Sequence, residues 1–171
     1  VQSNAVIECD ADGLLTGLVV FDLEALDEAR AELERRVPAN RGVTFGKVFT
    51  ERWVAEGADA VADLIVDDVV FEDHRAGLRA SWRGRAALLD NLRVIDELMT
   101  ADARVVTTDP IAHRGERLSL HTYDFPLMGV ETLNLSEFDE YGRLAFTTFF
   151  EPNDLAGAVQ ALDLRYAEAE G

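Results

Sequence analysis

The first forty residues change from a strand-like to a helix-like pattern of apolar positions. From Val6, apolar and polar residues alternate, reverse at Asp10–Gly13 and continue to Phe21. This predicts a β-hairpin, because an Asp-Gly pair favours a tight turn. Between Asp22 and Val37 the apolar residues fall on one stripe at helical spacing, with Asp22 at the position of an N-cap. A hairpin followed by a helix is therefore expected.

After a break at Pro38–Gly42, the remaining chain contains both periodicities. The predicted helices are Phe45–Glu56, a short Ala58–Ile65, Arg85–Met99 and Pro152–Ala167. The predicted strands are Val66–His74, Arg104–His113, Arg117–Phe125, Val130–Phe138 and Arg143–Phe150. The last four strands form two successive hairpins, and strands do not alternate regularly with helices. This order predicts an α+β fold with an antiparallel sheet.

The N-terminal pattern recurs near the C-terminal end. The segment "ECDADGLLTGLVVFDLEALDEARAELERRV" aligns without gaps on "EFDEYGRLAFTTFFEPNDLAGAVQALDLRY". Gly13 falls on Gly142, which gives an offset of 142 − 13 = 129. Any hairpin followed by an amphipathic helix gives some similarity. The ungapped match instead favours an internal repeat, with residues 6–37 as the end of a preceding copy and a complete unit at 39–171. The chain would then be a piece of a longer protein.

Composition narrows the class of protein. The formal net charge of −17 argues against binding nucleic acid or anionic membranes, which require a basic surface. No apolar run reaches the roughly 18 residues of a spanning helix, and no secretory signal is visible. Cys9 is the single cysteine, so no internal disulfide forms. A cytoplasmic protein is expected, and residues 1–5 are interpreted as a tag remnant.

Two stretches resemble the nuclear transport factor 2-like superfamily, which includes steroid delta-isomerase and the SnoaL-like cyclases. They are "ADAVADLIVDDVVFEDHRAGLRASWRGRAALLDNL" and "LNLSEFDEYGRLAFTTFF", and the similarity covers about Phe45–Phe150. The resemblance implies a cone-shaped curved antiparallel sheet wrapped around helices. The "DHR" and "LDLRY" sequences are also similar to C-terminal SnoaL-like modules of larger actinobacterial cyclase-type or regulatory proteins.

The same resemblance implies a candidate site. In steroid delta-isomerase, the aspartate that ends the strand equivalent to Val66–His74 is the general base, and Asp73 stands at that position. Asn134 replaces an acid that donates a hydrogen bond to the enolate, and Trp53 is the nearest match to a tyrosine donor. Because an amide and an indole are altered donors, isomerase chemistry is not assured by the resemblance.

The residues themselves leave two interpretations of Asp73 open. Phe71, Asp73 and Arg75 share one strand face, so Asp73 faces the cone interior if Phe71 does. Burial without a partner would raise the pKa of Asp73 towards the range of a base. Pairing with Arg75 would make the carboxylate structural instead. The expected cavity-lining residues, which are candidate ligand contacts, are Trp53, Phe49, Phe71, His121, Tyr123 and Phe149 or Phe146.

The sequence contains no motif for metal binding, phosphate binding or nucleophilic catalysis. The three histidines and one cysteine have no metal-ligand spacing, and there is no Gly-rich phosphate loop or Gly-x-Ser-x-Gly nucleophile. No metal and no cofactor are therefore expected.

Two functions remain. The favoured hypothesis is a small-molecule-binding or interaction module with an apolar ligand; the alternative is a cofactor-free isomerase, cyclase or hydratase with Asp73 as base. A ligand-sized pocket containing Asp73 would favour the enzyme, and a pocket filled by side chains the module. We also expect a homodimer or pairing with a like unit, because Leu133 and Leu135 would face outwards if Asn134 faces the cavity.

Overall fold

The computed structural model describes residues 3–9, 15–36, 40–98, 107–125 and 129–170. Contacts divide the chain into two compact units, Val1–Ala39 and Asn40–Gly171. The turn at 10–13, Val37, Met99 and the predicted strand start at Arg104 lie outside the described residues.

The N-terminal unit is the predicted hairpin and helix. Strands β1 (Ser3–Cys9) and β2 (Leu15–Asp22) pair antiparallel, and α1 (Leu26–Arg36) packs on them. Asp22 is not the N-cap that the pattern predicts: it ends β2, and its carbonyl accepts the Ala25 N–H in a turn at 3.0 Å. The helix therefore begins at Leu26 and not directly after Asp22.

The two faces of this hairpin differ. Val6 and, on the helix, Ala29 are each 7% exposed. The opposite face presents Ile7, Leu18 and Val20, whose exposed fractions are 62%, 53% and 58%. Ile7 and Leu18 are direct cross-strand partners, so these side chains form one continuous apolar face.

The Asn40–Gly171 unit contains four helices and six strands within its described residues. The helices are α2 (Arg41–Glu56), a 3₁₀ helix (Ala58–Leu64), α3 (Arg85–Leu98) and α4 (Leu155–Glu170). The strands are β3 (Ile65–Asp73), β4 (Ala80–Arg83), β5 (Thr107–Arg114), β6 (Leu118–Phe125), β7 (Val130–Phe138) and β8 (Leu144–Phe150).

One curved sheet organises this unit, in the order β4-β3-β8-β7-β6-β5. All neighbours are antiparallel except β3 and β8, which are parallel. The predicted α+β cone is confirmed. Strand β4 was not predicted, since four residues with three exposed side chains give little periodic signal.

The start of α2 is fixed by a residue that the sequence pattern assigns to a break. Asn40 is 1% exposed, and its side-chain oxygen accepts the Val43 N–H at 2.9 Å as an N-cap. Its amide donates to the Gly115 carbonyl at 2.8 Å. Asn40 thus joins the helix to the β5–β6 turn, and α2 begins four residues before the predicted Phe45.

The sheet separates two apolar cores. One lies on the side of α2 and α3, and the other lies beneath α4. Leu133 and Leu135 belong to the second core and are 3% and 1% exposed. The prediction that these leucines face outwards to form an interface is therefore wrong, because α4 covers this face of β7 through Ala158 and Leu162.

The bounds of the elements follow the offset of the proposed repeat. Adding 129 to β2 gives 144–151, and β8 is Leu144–Phe150. Adding 129 to α1 gives 155–165, and α4 begins at Leu155. That residues 6–37 end a preceding copy stays a prediction, as does the tag interpretation of residues 1–5, of which 3–5 lie in β1.

Candidate functional site

The inner face of the sheet, α2 and α3 enclose a cavity of about 510 Å³. This volume lies within the range of small-molecule pockets. Most of the predicted site residues line it: Phe49, Trp53, Phe71, Asp73, Tyr123, Asn134 and Phe149. Phe146 points to the opposite side of the sheet and packs in the core beneath α4.

Aromatic rings form a continuous wall of this cavity. Successive ring centroids are 4.9 to 6.4 Å apart, within the range of favourable aromatic pairs. In order, the rings are Trp82, Phe71, Phe149, Tyr123, Phe125 and Trp53. The wall is thus suited to a flat apolar molecule.

Three polar residues lie in one row across the sheet. His121 pairs with Asn134, Asn134 with Phe149, and Phe149 with Asp73. Because neighbouring strands are about 4.8 Å apart, Asp73 and Asn134 stand roughly 10 Å from each other with the Phe149 ring between them. The two residues share a cavity but do not contact each other through their strand pairing.

Asp73 is held by Arg75. The guanidinium donates from Nε to Oδ1 at 3.0 Å and from Nη2 to Oδ2 at 2.6 Å, and the Arg75 backbone N–H donates to Oδ1 at 3.0 Å. Asp73 is 7% exposed, and the guanidinium also lies 5.5 Å from the centroid of Phe149. Of the two interpretations left open by the sequence, this geometry is that of the paired carboxylate.

Asn134 is also engaged within the protein. Its amide N–H groups donate to Thr147 Oγ1 at 2.8 Å and to the Thr148 carbonyl at 3.3 Å. Its side-chain oxygen accepts the Ser136 hydroxyl at 2.7 Å. At 2% exposure, Asn134 belongs to a closed polar network on the cavity wall.

The Trp53 indole lines the cavity with its ring, but its N–H is used elsewhere. Nε1 donates to Asp96 Oδ1 at 3.0 Å, and Asp96 Oδ2 accepts the Ala58 N–H at 2.7 Å. Asp96 therefore connects α2 to α3, and it caps the 3₁₀ helix that begins at Ala58. The donor role that the resemblance implies for Trp53 is not available in this arrangement.

Tyr123 closes a similar bond to α2. Its hydroxyl and Thr50 Oγ1 are 2.9 Å apart. Burial raises the pKa of Tyr123 above its ordinary value, and the hydrogen bond to Thr50 opposes this only in part. The phenol is therefore neutral at physiological pH.

His121 on β6 faces α2 and is not among the residues that line the cavity. A Cβ placed on Gly46 would be 3.8 Å from His121 Nε2, so the helix backbone passes directly over the ring. His121 is 6% exposed, and Nε2 has no hydrogen-bond partner within the described part of the chain. Burial lowers the pKa of His121 to about 4, while the charge of Asp109 opposes the shift. The imidazole is neutral at pH 7.

Three further cavity residues escaped the sequence prediction of the site. Arg75 was considered only as a partner of Asp73, and Trp82 lies on β4, the strand that the sequence pattern does not show. Asn91 projects from α3 into the cavity between Leu88 and Leu92, which line the same wall. The helical stripe around Asn91 could have located it, since positions 88, 92 and 95 mark the buried face of α3.

Comparisons with known proteins give matches to structures only. No family model and no curated protein matches this sequence. A Mycobacterium tuberculosis protein in complex with estradiol-17β-hemisuccinate is 14% identical, with a TM-score of 0.49; the match covers 68% of this chain and 97% of that one. At the level of the fold, this chain is similar to nuclear transport factor 2-like and SnoaL-like proteins.

Two other structures show the same likeness. A SnoaL-like protein of unknown function from Burkholderia thailandensis is 18% identical, with a TM-score of 0.44 and coverage of 64% of this chain and 92% of that one. A computationally designed 17-OHP binder is 14% identical, with a TM-score of 0.49 and coverage of 68% and 94%.

Two negative findings apply to the described residues alone. None of their helices is long and apolar enough to cross a membrane. They contain no group of three or more His, Cys, Asp or Glu residues placed to hold a metal ion.

Proposed function

We propose that the Asn40–Gly171 unit binds a small, largely apolar molecule in its cavity. The observation that carries the proposal is the cavity itself, which is open over about 510 Å³ although it sits against a core of buried aromatic and aliphatic residues. Protein interiors are normally close-packed, so an apolar space of this size is costly unless it serves a ligand.

The polar groups of the wall support binding rather than reaction. Asp73 is paired with Arg75, Asn134 is bonded to Thr147, and Trp53 is bonded to Asp96. The residue that the resemblance would use as a base and the two that it would use as hydrogen-bond donors are therefore all engaged with protein partners. A ligand-sized cavity containing Asp73 is nevertheless the feature that favours the enzyme hypothesis.

Binding can be tested with 6-propionyl-2-(dimethylamino)naphthalene, a neutral dye that is termed the propionyl probe hereafter. Its emission moves to shorter wavelength in an apolar environment, and we expect a saturable shift on addition of the protein. Gly46→Leu should weaken binding, since Gly46 lines the cavity and its Cβ position meets only ordinary contacts at 3.8 Å. Val48→Leu on the exposed side of the same helix is the matched control.

Two results would contradict the proposal. One is an unchanged emission spectrum at protein concentrations in the high micromolar range. The other is equal affinity in wild type and Gly46→Leu when circular dichroism shows that the variant is folded, because the dye would then occupy another place.

An isomerase-type enzyme is the second candidate, favoured by the position of Asp73. Among the described residues that line the cavity, it is the one carboxylate. Acting as a base would require release from Arg75. The binding proposal predicts no isomerisation of a β,γ-unsaturated ketone above the buffer rate. Isomerisation that disappears in Asp73→Asn would support the enzyme instead.

The proposal extends to the setting of this unit. We infer a cytoplasmic location from the acidic composition and the single cysteine, and a regulatory parent protein containing a preceding like unit. The support for the like unit is the repeat offset of 129, which carries Ile7, Leu18 and Val20 onto Ser136, Thr147 and Phe149. All three of these positions line the cavity of the complete unit.

This equivalence indicates what kind of partner covers the exposed apolar face of the N-terminal hairpin. In the complete unit, the corresponding face is covered by α2 and α3 across the cavity. We propose that the face formed by Ile7, Leu18 and Val20 associates with a like unit, either in the parent chain or in a second copy as a homodimer.

A further inference from the structure

Most of the hydrogen-bonding capacity of the cavity wall is already used. Tyr123 is paired with Thr50, Trp53 with Asp96, Thr132 with the Phe150 carbonyl, and Asn134 with Ser136 and Thr147. Such groups orient the wall but offer little to a ligand, because a new bond to them would have to break an existing one.

Three residues that line the cavity each carry a group with no hydrogen-bond partner among the described residues. These groups are Nη1 of Arg75, the indole N–H of Trp82 and the side-chain amide of Asn91. The first two are donors only, since neither a guanidinium nor an indole N–H accepts. A ligand that meets this part of the wall therefore has to supply an acceptor.

The two donors belong to one hairpin at the edge of the sheet. Arg75 lies two residues beyond the end of β3 at Asp73, and Trp82 on β4 is the cross-strand partner of Phe71. Leu78, from the connection between the strands, also lines the cavity. Arg75 is fixed in place by three hydrogen bonds to Asp73 and by its position over Phe149, so Nη1 is presented on a rigid support.

The charges of the Asp73–Arg75 pair decide which kind of acceptor can bind at Nη1. The guanidinium is neutralised by the buried carboxylate of Asp73. An anionic group brought to Nη1 would lose its hydration and would approach the Asp73 charge, and both effects oppose binding. A neutral carbonyl oxygen costs less to dehydrate and is not repelled by Asp73, and it receives a charge-assisted hydrogen bond.

We propose that the ligand of this cavity carries a neutral carbonyl group, as in a ketone, ester or amide, which accepts a hydrogen bond from Arg75 Nη1. The rest of the ligand lies along the aromatic wall from Phe71 and Phe149 towards Trp53. This inference rests on the proposed binding function and specifies the chemical class of its ligand. Arg75 thereby becomes the residue that determines specificity.

Three probes with one scaffold test this preference. The propionyl probe supplies a ketone, 6-propyl-2-(dimethylamino)naphthalene lacks the carbonyl oxygen, and 6-(dimethylamino)-2-naphthoate replaces the ketone by a carboxylate. A hydrogen bond from a charged donor predicts a Kd about tenfold lower for the ketone than for the propyl compound. The carboxylate should bind more weakly than the ketone.

The matched variants remove ion pairs inside and outside the cavity. Asp73→Leu with Arg75→Met deletes the pair on the wall without leaving a lone buried charge. Asp163→Leu with Arg114→Met deletes a pair of similar length, 2.8 Å, between β5 and α4. The preference for ketone over propyl should vanish in the first double variant. In the second, that preference and the Kd of the propyl compound should both stay as in wild type.

A vibrational measurement on the wild-type protein keeps the inference testable if the first double variant fails to fold. The stretching band of the bound ¹³C-labelled ketone should lie at lower wavenumber than the band of the same ketone in an apolar solvent, as expected for a hydrogen-bonded carbonyl. A band at its apolar-solvent position, equal Kd values for ketone and propyl, a preference that survives loss of Arg75, or a carboxylate that binds as tightly as the ketone would overturn the inference. Binding of the propyl compound alone would leave the proposed function standing, whereas binding of none of the probes would overturn both.

Discussion

Asp73 and Arg75, two residues apart in sequence, form a two-pronged ion pair on the wall of an apolar cavity. The carboxylate side chain is 6% exposed and the guanidinium 21%. This pair places a fixed hydrogen-bond donor in a wall that is rich in aromatic rings, and it replaces the free base that the position of Asp73 suggests.

Removing one member of this pair should destabilise the protein. Arg75→Met leaves Asp73 buried and unpaired, for which we expect a loss of about 3 kcal/mol in the free energy of unfolding, measured with urea. Asp73→Leu with Arg75→Met should recover most of this loss. Arg114→Met, in the more exposed pair with Asp163, should cost under about 1 kcal/mol. Equal losses in the two single variants would show that the Asp73–Arg75 pair is solvated.

His121 should make stability depend on pH. Its pKa is about 4 in the folded protein against 6.5 when exposed, so the unfolded chain binds more protons between these values. Stability is then fully present above pH 6.5 and falls as the pH drops towards 4, by about 2 kcal/mol at pH 5. Wild type should lose that much more than His121→Gln between pH 7.5 and 5, as measured by urea unfolding. Parallel pH profiles would contradict the burial of a neutral imidazole.

The core beneath α4 should respond to truncation of Leu135. This residue is 1% exposed, and Leu135→Ala should cost about 2 to 5 kcal/mol of unfolding free energy. Leu164→Ala, at a position of α4 that is 60% exposed, is the control and should cost under about 0.5 kcal/mol. Unchanged stability together with loss of self-association in Leu135→Ala would instead show that Leu135 faces outwards in an interface.

Self-association should depend on the N-terminal hairpin. The double variant Ile7→Lys with Leu18→Lys places two charges on the exposed apolar face of the hairpin. Both side chains are more than half exposed, so the substitutions disturb no packing within the described residues. We expect wild type to associate at high micromolar concentration in sedimentation experiments and the double variant to remain a monomer. A wild-type monomer, or a variant that associates as strongly, would contradict the proposed role of this face.

The sequence predicts the order of elements because each long element carries its own periodicity. The helix α3 and strand β7 are predicted almost to their ends for this reason. Strand β4 is missed because its pairing with β3, not its own pattern, makes it a strand. Asn40 is assigned to a break because its capping role depends on the β5–β6 turn, 75 residues away in the chain.

The candidate site shows the same division between local and distant information. The strand pattern places Phe71 and Asp73 towards the interior, whereas Trp82 and Asn91 also line the cavity and were not predicted to do so. Asp73 bonds to Arg75, two residues away in the chain, but the partner of Trp53 is the distant Asp96, which no local pattern shows. The leucines of β7 were assigned to the correct face, but the sequence did not show that α4 covers it.

Ligand binding in the cavity is tested most directly with the two tryptophans of the chain, both of which line it. In a ¹H–¹⁵N correlation spectrum they give two indole N–H signals, one from buried Trp53 and one from half-exposed Trp82. On titration with the propionyl probe, both signals should shift, saturate and yield one common Kd. Signals that both remain unmoved while the probe is in excess would contradict ligand binding in this cavity.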